Sequence, residues 1–169
     1  MSDSLDTSIP DFFDVLKDVF RDRDPFAVLA ARTRLVDEWV TVKSAELISP
    51  RLATPFAMAA VGGYGRRELF PCSDIDLLLI VAKEADIGSV KEPLSDCLRA
   101  LWDSGLRISH SVRTIEECCR LNEQNVELHI SLLDLRFLCG EREIFDRTER
   151  LLAGFYAHQG RRIAARLAE

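Results

Sequence analysis

The sequence lacks a basic excess, a long apolar run and a secretory leader, and each absence excludes a class of protein. Its 28 Asp and Glu residues outnumber its 22 Lys and Arg residues, so the formal net charge is −6, whereas a general nucleic-acid binder carries a basic face. No apolar run approaches the ~20 residues that a membrane-spanning helix needs. Residues 1–6 have neither the basic nor the apolar part of a signal peptide. We expect a cytoplasmic protein that binds neither membrane nor nucleic acid.

Cysteine is present, but without a pattern that binds metal or builds a disulfide framework. The cysteines are odd in number and none are spaced as in a CxxC motif. They are Cys72, Cys97, Cys118, Cys119 and Cys139. We expect free thiols in a reducing compartment.

The first part of the chain is predicted to be helical. A length of 169 residues fits one domain, or one domain with an attached helical piece. Apolar residues recur at helical spacing over 10–19. Asp24 followed by Pro25 is typical of an N-cap and a first helical residue, so a longer helix is predicted over 25–48.

Strands alternate with helices in the middle of the chain, which predicts an α/β fold. The apolar runs 56–61 and 75–81 are typical of buried strands, and residues 106–112 alternate as in a half-buried strand. A short helix or turn is predicted over 64–69 and an amphipathic helix over 92–104. We expect a small mixed sheet with helices packed on it.

The last part of the chain is predicted to be helical again. Thr114 and Glu117 form the capping-box pattern that starts a helix. Residues 126–138 carry apolar side chains at helical spacing, and 144–169 continue as a helix interrupted near two glycines. Because good helix sequence runs to the last residue, we expect a fragment of a longer protein.

The residues best suited to chemistry lie between the first two predicted strands. Gly62 and Gly63 allow the backbone to approach a phosphate closely, and the N–H groups of a following helix can bind the anion. Arg66 and Arg67 can add a fixed cation for the same phosphates. Taken alone, the glycines predict a simple tight turn equally well.

Asp74 and Asp76 open the second apolar strand, and their spacing places both carboxylates on one face. An isolated Asp-x-Asp more often marks solvated carboxylates at a strand edge. At the start of a fully apolar strand, two carboxylates are costly unless they are paired or bind metal. Mg²⁺ prefers a few carboxylates together with phosphate oxygens. Combined with the glycine turn, the pair predicts a site for a nucleoside triphosphate and Mg²⁺.

These segments resemble the DNA-polymerase-β-like nucleotidyltransferase superfamily and, more narrowly, the N-terminal domain of the PII uridylyltransferase family. Five blocks carry the similarity: 61–69 (VGGYGRREL), 73–80 (SDIDLLLI), 101–103 (LWD), 110–114 (HSVRT) and 132–140 (LLDLRFLCG). Their spacing also fits, so the resemblance covers residues 56–145 rather than one motif.

The resemblance implies a reaction and a set of site residues. The family transfers UMP from UTP to a tyrosine of the trimeric signalling protein PII in bacterial nitrogen regulation, with Mg²⁺ and release of pyrophosphate. Asp74 and Asp76 would be the catalytic, metal-binding carboxylates. The triphosphate would be held by Gly62, Gly63, Arg66 and Ser73.

The resemblance also implies how the chain is divided. Residues 1–50 would form an N-terminal helical segment, 51–140 the nucleotidyltransferase core, and 141–169 a helical segment leading to a downstream region. Full-length members continue into an HD hydrolase domain, which removes UMP, and two ACT domains, which sense glutamine. The sequence has no His-Asp doublet, so both functions are expected outside this chain.

Two features leave the activity open. The strand predicted over 106–113 has no third carboxylate that could act as a base, so the base is unassigned. The family shows an acidic residue and a threonine where this chain has Asn125 and Ile130, a change that puts full activity in doubt but not the fold. The alternatives are another nucleotidyltransferase of the superfamily, of the type fused to CBS and cyclic-nucleotide-binding domains, and a catalytically idle nucleotide-binding regulatory module.

Three further polar residues lie in or near the predicted third strand and the helix after it. Arg113 could reach a phosphate or, equally, form an ion pair with Glu68 or a surface charge. His110 is predicted in the core or behind the site more readily than as a catalytic group. His129 is predicted at the surface.

Overall fold

The computed structural model describes residues 24–122 and 126–167. The helix predicted over 10–19 lies outside these ranges, and so does Asn125. Everything below concerns the described ranges.

A four-stranded mixed sheet forms the centre of the described chain and confirms the predicted α/β fold. Its strands are β1 (Phe56–Ala60), β2 (Ile75–Val81), β3 (Ile108–Thr114) and β4 (Arg136–Gly140). Their order is β3-β2-β1-β4, with β2 parallel to β3 and the other neighbours antiparallel. All of β1 and nearly all of β2 are buried, which explains their continuous apolar runs.

Helices cover both faces of the sheet. They are α1 (Pro25–Leu47), α2 (Gly62–Gly65), α3 (Ile87–Asp103), α4 (Ile115–Cys118), α5 (Val126–Ser131) and α6 (Arg142–Leu167). Two of them begin at the predicted caps. The Asp24 carboxylate accepts a hydrogen bond from the Phe26 N–H at the start of α1, and Thr114 and Glu117 make both bonds of a capping box at α4.

Successive residues of the strands face two separate apolar layers. Leu77 and Leu79 of β2 pack with α1 and α3 on one face, while Leu78 and Ile80 pack with α4 and α6 on the other. Because side chains alternate along a strand, Asp76 shares the second face with Leu78 and Ile80. The second face is therefore the one that carries the site.

β4 corrects the helix predicted over 126–138. The helix α5 ends at Ser131, and after a single 3₁₀ turn residues 136–140 pair with β1. Pairing with β1 gives the backbone groups of this segment their hydrogen-bond partners. Gly140 ends the strand at φ +92°, where a Cβ atom would lie 2.4 Å from the carbonyl oxygen of Phe56, so the close approach of the two strands requires glycine.

The bounds of two helices and the continuity of a third also differ from prediction. α2 occupies 62–65 rather than 64–69, and α3 begins at Ile87 rather than at residue 92. α6 runs unbroken through Gly154 and Gly160, since a glycine inside a helix costs only about 1 kcal/mol and a long packed helix can absorb that cost.

All five cysteines have free thiols. None of the helices in the described ranges is long and apolar enough to cross a membrane.

Candidate active site

The glycine turn leads directly from β1 into α2. Val61 is extended, and Gly62 then adopts φ +59°, a left-handed conformation that glycine takes without strain. The first N–H groups of a helix have no partner within it, so those of α2 can bind an anion. Because α2 is a single turn, its dipole contributes little, and the N–H groups themselves are what the turn offers.

Gly62 lies against Asp76. A Cβ atom on Gly62 would lie 3.6 Å from Oδ2 of Asp76 and 3.9 Å from Cβ of Ser131. The N–H of Val61 donates to the carbonyl oxygen of Asp76 at 3.1 Å. The structure thus brings the predicted glycine turn and the second predicted carboxylate into contact.

The two carboxylates differ in environment. Asp74 precedes β2, and one of its oxygens lies 3.2 Å from Nε of Arg107. Asp76 is half-buried opposite Ser109 of β3. Burial is the main cause that raises the pKa of Asp76; a hydrogen bond with Ser109 opposes it, and the charge of Asp74 adds to it. A divalent cation bound here would offset both the cost of burying the Asp76 charge and its repulsion by Asp74.

Two predicted phosphate ligands already have partners in the protein. Nε of Arg66 lies 2.9 Å from a Glu68 oxygen and Nη1 lies 2.5 Å from an Asp134 oxygen. The Ser73 hydroxyl donates to the carbonyl oxygen of Phe70 at 2.9 Å. Neither bond uses Nη2 of Arg66, which lies 3.9 Å from the position of a Cβ atom on Gly63, and the role of Arg66 as a phosphate ligand stays a prediction.

A network of hydrogen bonds around one ion pair anchors the glycine turn to α1 and β4. The Tyr64 hydroxyl donates to Asp37 at 2.7 Å. Arg136 donates to both Asp37 oxygens, at 2.8 and 3.0 Å, and to the carbonyl oxygens of Tyr64 and Gly65, both at 3.1 Å. Burial and the charge of Asp37 raise the pKa of Tyr64. Tyr64 is therefore a packing residue beneath the turn.

A cavity of about 290 Å³ opens beside Asp76, between β3 and α5. Its polar lining comes from Asp76, Ser109, His110, Ser111, Arg113, Glu127 and Ser131. Nε of Arg113 is buried and has no hydrogen-bond partner within the described ranges. The lining of the cavity therefore combines carboxylates, hydroxyls and one guanidinium group whose Nε–H has no partner within the described ranges.

Glu127 is the site residue that sequence reasoning missed. It lies four residues before Ser131 on α5, so both side chains share one helix face, and both line the cavity. The apolar positions of this segment predict a helix but do not identify its polar face. The spacing of residues 127 and 131 indicates that they share that face, but nothing in the sequence shows that the face meets β3.

His129 lies elsewhere than predicted, and His110 lines the cavity without being buried in the core. His129 is fully buried rather than at the surface, and its Nε2 accepts a hydrogen bond from the Asn122 N–H at 3.2 Å. Burial and the charge of Arg113 lower the pKa of His129. The exposed His110 ring meets Trp102 edge-on, with centroids 6.4 Å apart, so it is not a core residue.

The donor set is open rather than a closed metal cage. Residues 24–122 and 126–167 contain no group of three or more His, Cys, Asp or Glu side chains placed to hold a metal ion. Asp74 and Asp76 would need phosphate oxygens and water as further ligands, and Mg²⁺ is usually bound in that way.

Comparison with curated proteins confirms the predicted resemblance. The chain is 43% identical over 119 residues to the bifunctional uridylyltransferase/uridylyl-removing enzyme of Aromatoleum aromaticum, covering 70% of the chain and 13% of the relative. The enzyme of the same name from Haemophilus influenzae strain PittEE is 40% identical over 106 residues, covering 62% and 12%. That of Nitrosospira multiformis is 38% identical over 132 residues, covering 75% and 14%. The chain thus matches about one-eighth of the length of these relatives.

No protein-family model matches the chain. A solved structure described as "Crystal structure of the toxin-antitoxin with AMP-PNP" aligns with 75% of this chain and 92% of its own, at a TM-score of 0.42 and 13% identity.

Proposed function

Because the chain is similar over most of its length to a segment of the bifunctional uridylyltransferase/uridylyl-removing enzymes, we propose that it is a nucleotidyl-transferring domain of that kind. The observation that carries the proposal is the contact between Gly62 and Asp76. It brings N–H groups suited to phosphates beside a carboxylate suited to a phosphate-bound cation.

The proposed donor is UTP and the proposed acceptor is a tyrosine of PII. Two observations support that choice: the relatives are named as uridylyltransferases, and this sequence contains the HSVRT and LLDLRFLCG blocks. In the reaction the tyrosine oxygen bonds to the α-phosphorus, the bond between that phosphorus and the α–β bridging oxygen breaks, and pyrophosphate leaves.

The residues of the site divide this work. The N–H groups that follow Gly62 would bind phosphate oxygens from one side, and Arg113 would face them across the cavity. Asp74 and Asp76 would hold Mg²⁺, which when bound neutralises charge on the triphosphate and activates the attacking oxygen. Arg66 would bind a phosphate through Nη2, beside Gly63 of the turn.

Transfer of label from α-labelled UTP to PII tests this function. Asp74→Asn and Asp76→Asn are expected to reduce the rate by roughly a hundredfold or more, because the charge stabilisation supplied through a bound metal is worth several kcal/mol. Asp103→Asn, at an exposed position at the end of α3, is the matched control and should leave the rate unchanged. Circular dichroism checks that all three variants fold.

The same assay separates the alternatives. Competition among UTP, ATP, CTP and GTP in the presence of Mg²⁺ identifies the preferred base. Preference for another nucleotide, without labelling of PII, would indicate a different nucleotidyltransferase of the superfamily. UTP binding without transfer, even by the full-length protein, would contradict the enzymatic proposal and indicate a regulatory module.

A further inference from the structure

Glu127 lies near Asp76 on the far wall of the cavity and has no part in the proposed nucleotide or metal contacts. Both side chains line the same space. Ser131 links them: its Cβ lies 3.9 Å from the position of a Cβ atom on Gly62, which is itself 3.6 Å from Oδ2 of Asp76. Glu127 is one helical turn before Ser131 on the same face, with roughly 5–6 Å between their Cβ atoms. A glutamate side chain can span that separation, so its carboxylate can reach a group bound at Asp76.

Among the described residues, the strand wall of the cavity offers no alternative base on the face of Asp76. Asp76 lies opposite Ser109 in the β2–β3 pairing, so β3 presents Ser109, Ser111 and Arg113 to this face. His110 also lines the cavity, but it lies opposite Leu77, whose side chain packs on the other face of the sheet, and its ring contacts Trp102 of α3. Hydroxyls are weak proton acceptors at neutral pH, and a guanidinium does not deprotonate in proteins. Asp74 and Asp76 are reserved for the cation. Glu127 is the remaining carboxylate of the cavity lining.

The position of Glu127 also suits an incoming protein side chain. The residue is exposed, whereas Asp76 is half-buried. An acceptor tyrosine that enters from solvent can therefore approach Glu127 directly.

We propose that Glu127 is the general base of the transfer. Its carboxylate takes the proton of the tyrosine hydroxyl as the tyrosine oxygen bonds to the α-phosphorus. The electron pair of the breaking phosphorus–oxygen bond leaves on pyrophosphate. This assignment rests on the proposed function, because it requires a triphosphate at Asp76 and a hydroxyl acceptor.

Glu127→Gln and Glu127→Asp test the assignment in the PII labelling assay. The Gln variant should lose roughly 10²–10⁴-fold in kcat, the usual contribution of general base catalysis, with an unchanged KM for UTP. The Asp variant should recover part of that rate. The residual kcat of the Gln variant should rise with pH toward the ordinary tyrosine pKa of ~10, because the phenolate then forms without a base. Glu116→Gln, on the exposed part of α4, is the control.

Two results would overturn the assignment. One is a Gln variant that keeps nearly the wild-type kcat. The other is a loss confined to the KM for UTP, which would make Glu127 a nucleotide-binding residue. Failure of the proposed function itself is distinguishable, because the wild-type protein would then leave PII unlabelled.

Discussion

Gly65 lies where the glycine turn touches the segment that leads into β4. A Cβ atom on this residue would lie 1.7 Å from the carbonyl oxygen of Asp134 and 3.2 Å from that of Ala60. Both are backbone atoms and cannot rotate away as a side chain would. The third glycine of the turn is therefore required by packing rather than by phosphate binding.

Gly65→Ala should consequently destabilise the protein, whereas Gly63→Ala should not. Overpacking of this kind costs about 1–3 kcal/mol or more in the free energy of unfolding. The nearest atom to a Cβ on Gly63 is 3.7 Å away, an ordinary contact, so that variant should match or slightly exceed the wild type. Urea denaturation of the two variants measures the difference. Equal midpoints would show that α2 can shift away from Asp134 without cost.

Single residues were predictable where their partners are close in sequence. Gly62 and Asp76 belong to neighbouring motifs on consecutive strands, so their contact follows from the strand–turn–strand pattern. The ion pair of Arg66 with Asp134 could not be predicted, because 68 positions separate the two residues and no local rule joins them. The place of Glu127 in the cavity of Asp76 could not be predicted for the same reason, since it depends on the packing of α5.

At the scale of elements, Arg136 connects β4, α1 and α2. From β4 it makes a two-pronged ion pair with Asp37 of α1 and also bonds the carbonyl oxygens of Tyr64 and Gly65 in α2. Its side chain is only 17% exposed. Because 99 positions separate Asp37 from Arg136, this network ties an N-terminal helix to the last strand through the glycine turn.

Arg136→Ala should destabilise the fold and also weaken nucleotide binding. Hydrogen bonds to charged groups contribute about 1.5–3 kcal/mol each, so a loss of at least that size is expected in denaturant unfolding. The KM for UTP should rise, because α2 loses two backbone anchors beneath the phosphate turn. Arg51→Ala is the control: its bond to Asp96 is short, at 2.6 Å, but exposed, and exposed pairs contribute about 0–1 kcal/mol. Similar losses in both variants would refute the anchoring role.

Helices and strands could be predicted where a local signal, such as a capping residue or a continuous apolar run, marks them in the sequence. The caps at Asp24 and Thr114 and the runs of β1 and β2 were identified correctly because each signal is local. β4 was mistaken for a helix because apolar residues at 126, 130, 133 and 137 fit a helical stripe. Leu133 of that stripe is in fact 62% exposed. Pairing with β1, a contact between distant segments, decides the conformation of 136–140, and tertiary contacts routinely override local propensity.

At the scale of the whole molecule, the half-buried Asp76 carboxylate makes global stability depend on pH. Its pKa is raised in the folded state, mainly by burial, so the unfolded chain ionises more readily than the folded one. The stabilising contribution of Asp76 is fully present below its unfolded pKa, ~3.9, and is lost as pH rises through the higher folded pKa. At neutral pH the ligand-free fold carries a desolvated charge without a cation.

Asp76→Asn should therefore raise the melting temperature at neutral pH and lose this advantage as the pH is lowered toward the unfolded pKa. Adding Mg²⁺ and UTP should make the wild type melt at a higher temperature than the Asp76→Asn variant. A ligand at a hundred times its Kd stabilises the folded state by about 2.7 kcal/mol, and the wild type should gain this while the variant does not, with EDTA abolishing the gain. Asp74→Asn, which removes only an exposed pair with Arg107, should leave the ligand-free melting temperature nearly unchanged. A variant less stable than the wild type at neutral pH would mean that Asp76 is a structural carboxylate satisfied by Ser109, and the case for a cation at this position would fall with it.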